Sequence, residues 1–182
     1  KILYARLAVP HCPSFGLPIR QDNPERIFQG LQQLAEGSRV LIVFPYRPNP
    51  LQPWIKHLIS QGFLRVFTGD GVVDLENLEA AESQRLESGE LLVVVDRLPW
   101  GNIPGQRVLD SIETAMRMGA GRMAVVVLPD SIRWFSAELR CADCPSADPI
   151  PLPTPNLFSF NSPLGACPEC RGFGRTIGVD LN

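Results

Sequence analysis

Lysine is almost absent from this chain of 182 residues, since Lys1 and Lys56 are its only two lysines. A phosphate-binding loop of the form GxxxxGK[ST] needs a lysine directly after a glycine. Neither of the two lysines follows a glycine in this sequence. No grouping of a nucleophile with a base is visible in the sequence either. We therefore expect this stretch of chain to have no ATP site and no catalytic activity of its own.

Long apolar runs and an excess of positive charge are also missing. No apolar run approaches the ~20 residues that span a bilayer, which predicts no contact with the membrane. The formal net charge is -2, whereas a dedicated nucleic-acid-binding domain usually carries a basic excess. The opening residues KILYARLAV lack the features of a signal peptide and predict a strand over residues 2–9. We expect a piece of a larger, cytoplasmic protein.

The apolar pattern predicts the α/β (α+β) class, with a compact mixed sheet and flanking helices over residues 20–130. Dense apolar runs in SRVLIVFPY, ELLVVVDRL and RMAVVVL are typical of buried strands. FLRVF and VVDL flank TGDG and predict a hairpin across Gly69–Gly71. Apolar residues at helical spacing predict helices in residues 22–37, 52–61 and 106–121.

Two of these helices carry more detailed signals. In the first, Glu25 lies three residues after Asp22, which is the spacing of a capping box, and Gly37 would end the helix. In the third, one apolar stripe is expected to face the core, formed by Val108, Ile112, Ala115 and Met116.

Two C-x-x-C pairs, Cys141/Cys144 and Cys167/Cys170, are separated by the proline-rich residues 145–166. Two such pairs can supply the four thiolates of a tetrahedral structural zinc site. Because the intervening segment offers little core of its own, a metal ion would staple it. A redox-active pair and two disulfides are the alternatives that the spacing leaves open. Cys12 stands apart and is predicted to be an ordinary thiol.

The cysteine-flanking string LFSFNSPLGACPECRGFG, with FSAELRCADC before it, resembles the zinc-containing segment of the UvrA family, the excinuclease component that acts in bacterial nucleotide excision repair. ILYARLAVPHCP is similar to the strand and turn that lead into an inserted domain of that family. QGFLRVFTGDGVVDL, and VVVDRL followed by RVLDSIETAMRMGAG, are similar to the middle of that domain. The resemblance extends over nearly the whole chain.

The resemblance implies a parent protein that is a homodimeric ABC-type ATPase, which recognises distorted DNA and loads its partner UvrB. Residues 1–19 would then belong to the host ATPase region, and residues 20–130 to the inserted UvrB-binding domain. Residues 131–182 would form the zinc-binding segment that begins the signature region. The ATP sites would lie in other parts of the parent.

The resemblance also implies roles for individual arginines. Arg65 and Arg97 match family arginines that contact UvrB, and a guanidinium fork pairs well with a carboxylate. The alternative is that Arg97 pairs with an acidic neighbour of its own domain and that Arg65 merely covers an exposed strand face. Arg140, Arg171 and Arg175 flank the cysteines and are weaker candidates for contacts with DNA phosphates, the alternative being solvated charges around a metal loop.

The sequence departs from the family at two places. The C-P-x-C of many members is Cys12-Pro-Ser-Phe15 here, so a second metal site is not expected, and the proline-rich PYRPNPLQPW (residues 45–54) replaces a basic loop. A divergent paralogue that does not bind UvrB is therefore one alternative. Another is a DnaJ-type zinc module that binds unfolded polypeptide, indicated by C-x-x-C-x-G-x-G at residues 167–174.

Overall fold

The computed structural model describes residues 1–49, 53–78, 86, 89–129, 131–144, 148–159, 162–167 and 169–175, so part of the proline-rich loop at 45–54 lies outside the described residues. The helices are α1 (Ile2–Leu7), α2 (Pro24–Leu31), α3 (Trp54–Ser60) and α4 (Gly105–Met118). The strands are β1 (Arg39–Tyr46), β2 (Arg65–Phe67), β3 (Val72–Asp74), β4 (Leu91–Pro99), β5 (Arg122–Val127) and β6 (Ser131–Ser136). Short 3₁₀ turns cover Leu75–Asn77 and Pro163–Gly165.

The strands form one sheet in the order β3-β2-β4-β1-β5-β6, which confirms the predicted α+β class. The sheet is not mixed, however, because every pairing among the described strands is antiparallel. The connection through α3 joins β1 to β2, which run in the same direction with β4 between them. The connection through α4 likewise joins β4 to β5 across β1. Each helical connection thus passes over one strand, so the two parallel strands that it joins are not neighbours in the sheet.

The hairpin predicted across Gly69–Gly71 is present. Arg65 lies opposite Asp74 and Phe67 opposite Val72, and the Thr68 N–H donates to the carbonyl of Gly71 at 3.0 Å. The glycine at position 69 has a φ of 93°, a conformation that most other residues adopt only with strain. The two glycines of TGDG therefore predicted the turn of this hairpin correctly.

The main core lies between the helices and one face of the sheet. The helices contribute an apolar stripe each, comprising Ile27, Leu31, Trp54, Leu58, Val108, Ile112, Ala115 and Met116. The strands contribute Val40, Ile42, Phe44, Val66, Val93, Met123 and Val125. All four residues predicted to face inward from α4 are buried in this core.

The opposite face of the sheet has its own apolar cluster, which consists of strand residues: Leu41, Val43, Phe67, Val94, Ala124 and Val126. None of the described helices contributes a residue to it. We call this side of the sheet the strand face. The six residues of this cluster are at most 6% exposed, so the strand face can present side chains to another molecule only at its rim.

Helix α2 begins one residue later than the capping-box pattern predicts, and it ends at Leu31 rather than at the predicted Gly37. Its N-cap is Asn23, whose Oδ1 accepts a hydrogen bond from the N–H of Arg26 at 2.8 Å. Asp22 instead joins α2 to β6, since its N–H donates to the carbonyl of Ser136 and its carboxylate accepts from the N–H of Ser136. Burial raises the pKa of Asp22, against the lowering effect of that hydrogen bond.

The strand predicted over residues 2–9 is wrong, because residues Ile2–Leu7 form helix α1. Its apolar side chains remain largely exposed, and Tyr4 makes a ring contact with Phe158 at 5.9 Å between centroids. A strand needs an edge to pair with, and this segment pairs with none of the described strands. Local helix propensity then decides its conformation.

The sheet continues past residue 130, where the inserted domain was predicted to end, because β6 pairs with β5 along its whole length. Strand β6 was not predicted from the sequence. Its burial increases only towards Ser136, as is usual at the edge of a sheet. The division of the chain into three regions stays a prediction. Within the part of the chain that the structure describes, the helices are too short or too polar to span a bilayer.

Candidate partner-binding face and cysteine turns

A β-bulge decides which face of the sheet Arg97 occupies. The pairing of β1 with β4 shifts between Ile42 and Val43, where Val95 has no directly opposed residue. Side chains alternate along a strand, so one extra residue exchanges the faces of all the residues that follow it. As a result Asp96 faces the helices, and Arg97 lies on the strand face.

Asp96 anchors this arrangement on the helical side. It accepts two hydrogen bonds from the Arg107 guanidinium, at 2.9 and 3.0 Å, and one from Ser111 Oγ at 3.1 Å. The N–H of Arg97 donates to Asp96 Oδ1 at 2.8 Å. Burial alone would raise the pKa of Asp96, but these hydrogen bonds outweigh it and lower the pKa below its usual value. Strand β4 is thereby fixed to helix α4 at the bulge.

The side chain of Arg97 is exposed, and within the described residues it makes no ion pair or hydrogen bond. The intradomain pairing that was the alternative for Arg97 is thus not found in this part of the chain. Asp96, the nearest carboxylate in sequence, is occupied by Arg107 on the other side of the sheet.

Arg65 lies on the same face, because it is two residues before Phe67, which belongs to the strand-face cluster. It does have an internal partner: Arg65 Nε is 3.7 Å from a carboxylate oxygen of Asp74, and both side chains are partly exposed. An ion pair of this length and exposure contributes little to stability. The structure therefore brings the two predicted partner-binding arginines to one face, about 10 Å apart along the sheet.

The first C-x-x-C pair is buried together with Cys12. Cys12, Cys141 and Cys144 form a small core with Ile19, and the thiols of Cys12 and Cys141 are close enough for each to shift the pKa of the other. Burial raises the pKa of Cys141. Sequence reasoning had set Cys12 apart from the other thiols, because 128 residues lie between it and Cys141 and no local pattern relates the two positions.

The second C-x-x-C pair forms a tight and more exposed turn. The N–H groups of Cys170 and Glu169 donate to the sulfur of Cys167 and lower its pKa. The chain then turns back, with the Arg171 N–H donating to the Cys167 carbonyl at 2.7 Å. Arg171 and Gly172 both adopt positive φ angles, of 50° and 91°. Backbone N–H groups aimed at a sulfur are a usual feature of thiolate ligands.

The four cysteines predicted to share one zinc ion are not assembled into a single group. Among the described residues, which include all five cysteines, no three or more Cys, His, Asp or Glu side chains are arranged so that they could hold a metal ion. Cys141 and Cys144 pack against Cys12, whereas Cys167 is exposed. Each turn by itself suits a pair of thiolate ligands, and the sharing of one zinc ion by the two turns stays a prediction.

Arg122 connects the sheet to the first cysteine turn. Its side chain is 5% exposed, donates from Nε to the Ala142 carbonyl at 3.0 Å and pairs with Glu90 at 2.9 Å. The guanidinium lies 3.9 Å from the ring centroid of Trp134. Sequence reasoning missed this residue because its partners are 20 and 32 residues away, and a single arginine in an apolar strand carries no local signal.

The three arginines considered for DNA lie in different settings. Arg140 is half-buried beside Glu138, with a nitrogen–oxygen distance of 3.8 Å, whereas Arg171 and Arg175 are exposed. Their contact with DNA stays a prediction.

The structure defines an α+β domain whose antiparallel sheet carries helices on one face and arginines on the other. A family model described as the UvrA interaction domain matches residues 22–128. The chain belongs to the UvrA family, and these residues are its interaction domain. This membership favours the interpretation drawn from the cysteine-flanking string over a DnaJ-type module or a thiol oxidoreductase.

Similar curated proteins are named UvrABC system protein A and come from bacteria. The protein of Clostridium perfringens is 33% identical over 184 residues, that of Mycobacterium leprae 36% over 193, and that of Bacillus subtilis 32% over 185. The matches cover 99%, 99% and 100% of this chain, but 19% of each relative. The chain thus spans about a fifth of the length of these relatives.

Proposed function

We propose that this chain docks a UvrB-like protein through the strand face of its sheet. The observation that carries the proposal is the position of Arg97: it is exposed, has no partner among the described residues, and lies on the same face as Arg65. The resemblance to the UvrA family implies that both residues match arginines that contact UvrB. A carboxylate of the partner would complete the pairing that Arg97 lacks inside its own domain.

The docking belongs to a larger proposed activity. By resemblance to the UvrA family, the parent protein would be a homodimeric ATPase of nucleotide excision repair in the bacterial cytoplasm. It would recognise damaged DNA and pass it to its UvrB-like partner. The present chain would supply the docking step, while ATP would be bound by other parts of the parent. Contacts of Arg140, Arg171 and Arg175 with DNA phosphates belong to the same proposal.

Replacing Arg97 by alanine is expected to weaken UvrB binding about 30-fold, or by about 2 kcal/mol, because the partner's carboxylate would be left desolvated and unpaired. Arg65→Ala should have a smaller effect, since Arg65 already has Asp74 beside it. Isothermal titration calorimetry with purified UvrB measures both values. Arg117→Ala is the matched control, because Arg117 is exposed on α4, on the helical side of the sheet.

Unchanged affinity of the Arg97→Ala variant, with its far-UV circular dichroism intact, would discard the proposed docking face. If the unmodified chain itself showed no binding to UvrB, the alternative of a divergent paralogue would be favoured.

We also propose that the protein holds structural zinc at its C-x-x-C turns, with Cys141, Cys144, Cys167 and Cys170 as ligands. The support is the chemistry of the turns: each places two cysteines three residues apart, and backbone N–H groups point at the first sulfur of each pair. Zinc would hold the proline-rich residues 145–166 to the domain.

Elemental analysis of the reduced, purified chain is expected to find about one zinc ion per molecule. Cys167→Ser should lose most of this zinc, and Cys12→Ser should retain it. The reverse result, with zinc lost from Cys12→Ser and kept by Cys167→Ser, would show that the buried trio of thiols is the metal site instead. Absence of zinc from the unmodified chain would end the proposal.

A further inference from the structure

A cleft of about 420 Å³ opens at the end of the strand face where Arg97 lies. Two arginines, Arg39 and Arg97, line it together with an apolar set comprising Val40, Leu41, Leu98, Pro99 and Leu128. Arg39 was not singled out by any sequence pattern. The cleft lies at the rim formed by the start of β1, the end of β4 and the residue after β5.

The register of the sheet brings the two arginines together. Arg39 lies opposite Pro99, and Leu41 lies opposite Arg97, so the arginines are diagonal neighbours on the same face. Side chains in this relation have Cβ atoms about 7 Å apart, within reach of one another for a residue as long as arginine. The β-bulge at Val95 is a condition of this arrangement, because without it Arg97 would lie on the helical side.

Two positive charges at this separation repel each other, and nothing in the described residues neutralises them. The side chains of Arg39 and Arg97 make no ion pair with any described carboxylate. An anion held between them would remove the repulsion and could accept hydrogen bonds from both guanidinium groups. The apolar walls formed by Pro99 and Leu128 would strengthen the attraction by excluding water.

We propose that this two-arginine cleft receives one carboxylate side chain of the docked UvrB-like partner, next to an apolar residue, and that Arg39 is a specificity-determining residue of the interface. The inference rests on the proposed docking of that partner. A carboxylate fits the cleft better than a run of nucleic-acid phosphates does, because most of its lining is apolar and the chain carries a net charge of -2.

The test compares Arg39→Ala, Arg97→Ala and the double variant by calorimetric titration with UvrB. Arg39→Ala is expected to lower the affinity about tenfold, and Arg39→Glu about a hundredfold, because the reversed charge would repel the carboxylate. If both arginines hold the same group, the loss in the double variant will be smaller than the product of the two single losses. Arg39→Lys should keep part of the affinity, and it carries the test if Arg39→Ala does not fold. Arg117→Ala should remain within about twofold of the unmodified chain.

The outcomes separate this inference from the docking proposal. Unchanged UvrB affinity in Arg39→Ala, with a clear loss in Arg97→Ala, overturns the shared cleft and leaves the docking face standing. Unchanged affinity in both variants overturns the two together. Titration with a short DNA duplex is the second arm: if Arg39→Ala weakens DNA binding and leaves UvrB binding intact, the cleft takes phosphate and the carboxylate assignment is wrong.

Discussion

Replacing Arg122 by methionine is expected to lower the free energy of unfolding by about 3 kcal/mol, because it removes one partner of a buried ion pair. The variant leaves the Ala142 carbonyl without this donor, and it leaves the Glu90 carboxylate with the longer, more exposed ion pair to Arg47 at 3.5 Å. It also removes the cation over the ring of Trp134. Urea denaturation followed by circular dichroism measures the loss.

Two further variants show whether the pair itself is responsible. Arg117→Met, on the exposed side of α4, should change the stability by less than about 0.5 kcal/mol. Combining Arg122→Met with Glu90→Gln should recover part of the loss, because it removes the carboxylate that Arg122 no longer neutralises. If Arg122→Met alone costs less than about 1 kcal/mol, the proposed importance of this junction is wrong.

Replacing Phe44 by alanine is expected to cost about 4 kcal/mol of stability, at the upper end of the range for large-to-small changes in a core. Phe44 is fully buried in the second half of β1, and its ring lies edge-on to Phe63 with 5.1 Å between centroids. The backbone at Phe44 is paired with Val93 of β4, which limits how far the chain can move to close the cavity. The same urea titration provides the measurement.

The matched control for this change is Ile132→Ala on the edge strand β6. The side chain of Ile132 is 41% exposed and lies at the rim of the sheet, so its truncation should cost less than about 1 kcal/mol. Similar losses in the two variants would contradict the placement of the core between β1 and the helices.

The helices of the domain were predictable because their signals are local. In α4, four apolar residues at helical spacing were predicted to face inward, and all four are buried. In α3, Trp54 and Leu58 lie four residues apart and are both buried, and Gly62 follows the helix with a φ of 89°. Periodicity and a terminating glycine are visible in any window of about 15 residues.

The errors arose where the deciding partner lies far along the chain. The capping signal was assigned to Asp22, but the Asp22 carboxylate accepts a hydrogen bond from the N–H of Ser136. Asn23 caps α2 instead. The segment expected to form a strand at the N-terminus pairs with none of the described strands, and it forms helix α1. The antiparallel character of the sheet was missed because alternating helices and strands do not reveal that each helical connection skips a strand.

The candidate site shows the same division. Arg65 and Arg97 could be chosen because the surrounding strings resemble those of a known family, and both do lie on one face. Their common face depends on the bulge at Val95, which is one valine in a run of three and has no distinguishing pattern. The position of Arg39 beside Arg97 depends on the pairing of β1 with β4, two strands that are far apart in the chain.

The order of residues alone was enough to establish the α+β class, the turns, the buried stripes and the family, because each of these is written in short strings and their spacing. The tertiary structure decided which arginines share a face and which groups donate hydrogen bonds to the carboxylates of Asp22 and Asp96. It also decided that Cys12 packs with Cys141 and Cys144 rather than standing alone. Those outcomes depend on strand register and on contacts between distant segments, and no local window of the chain contains both partners.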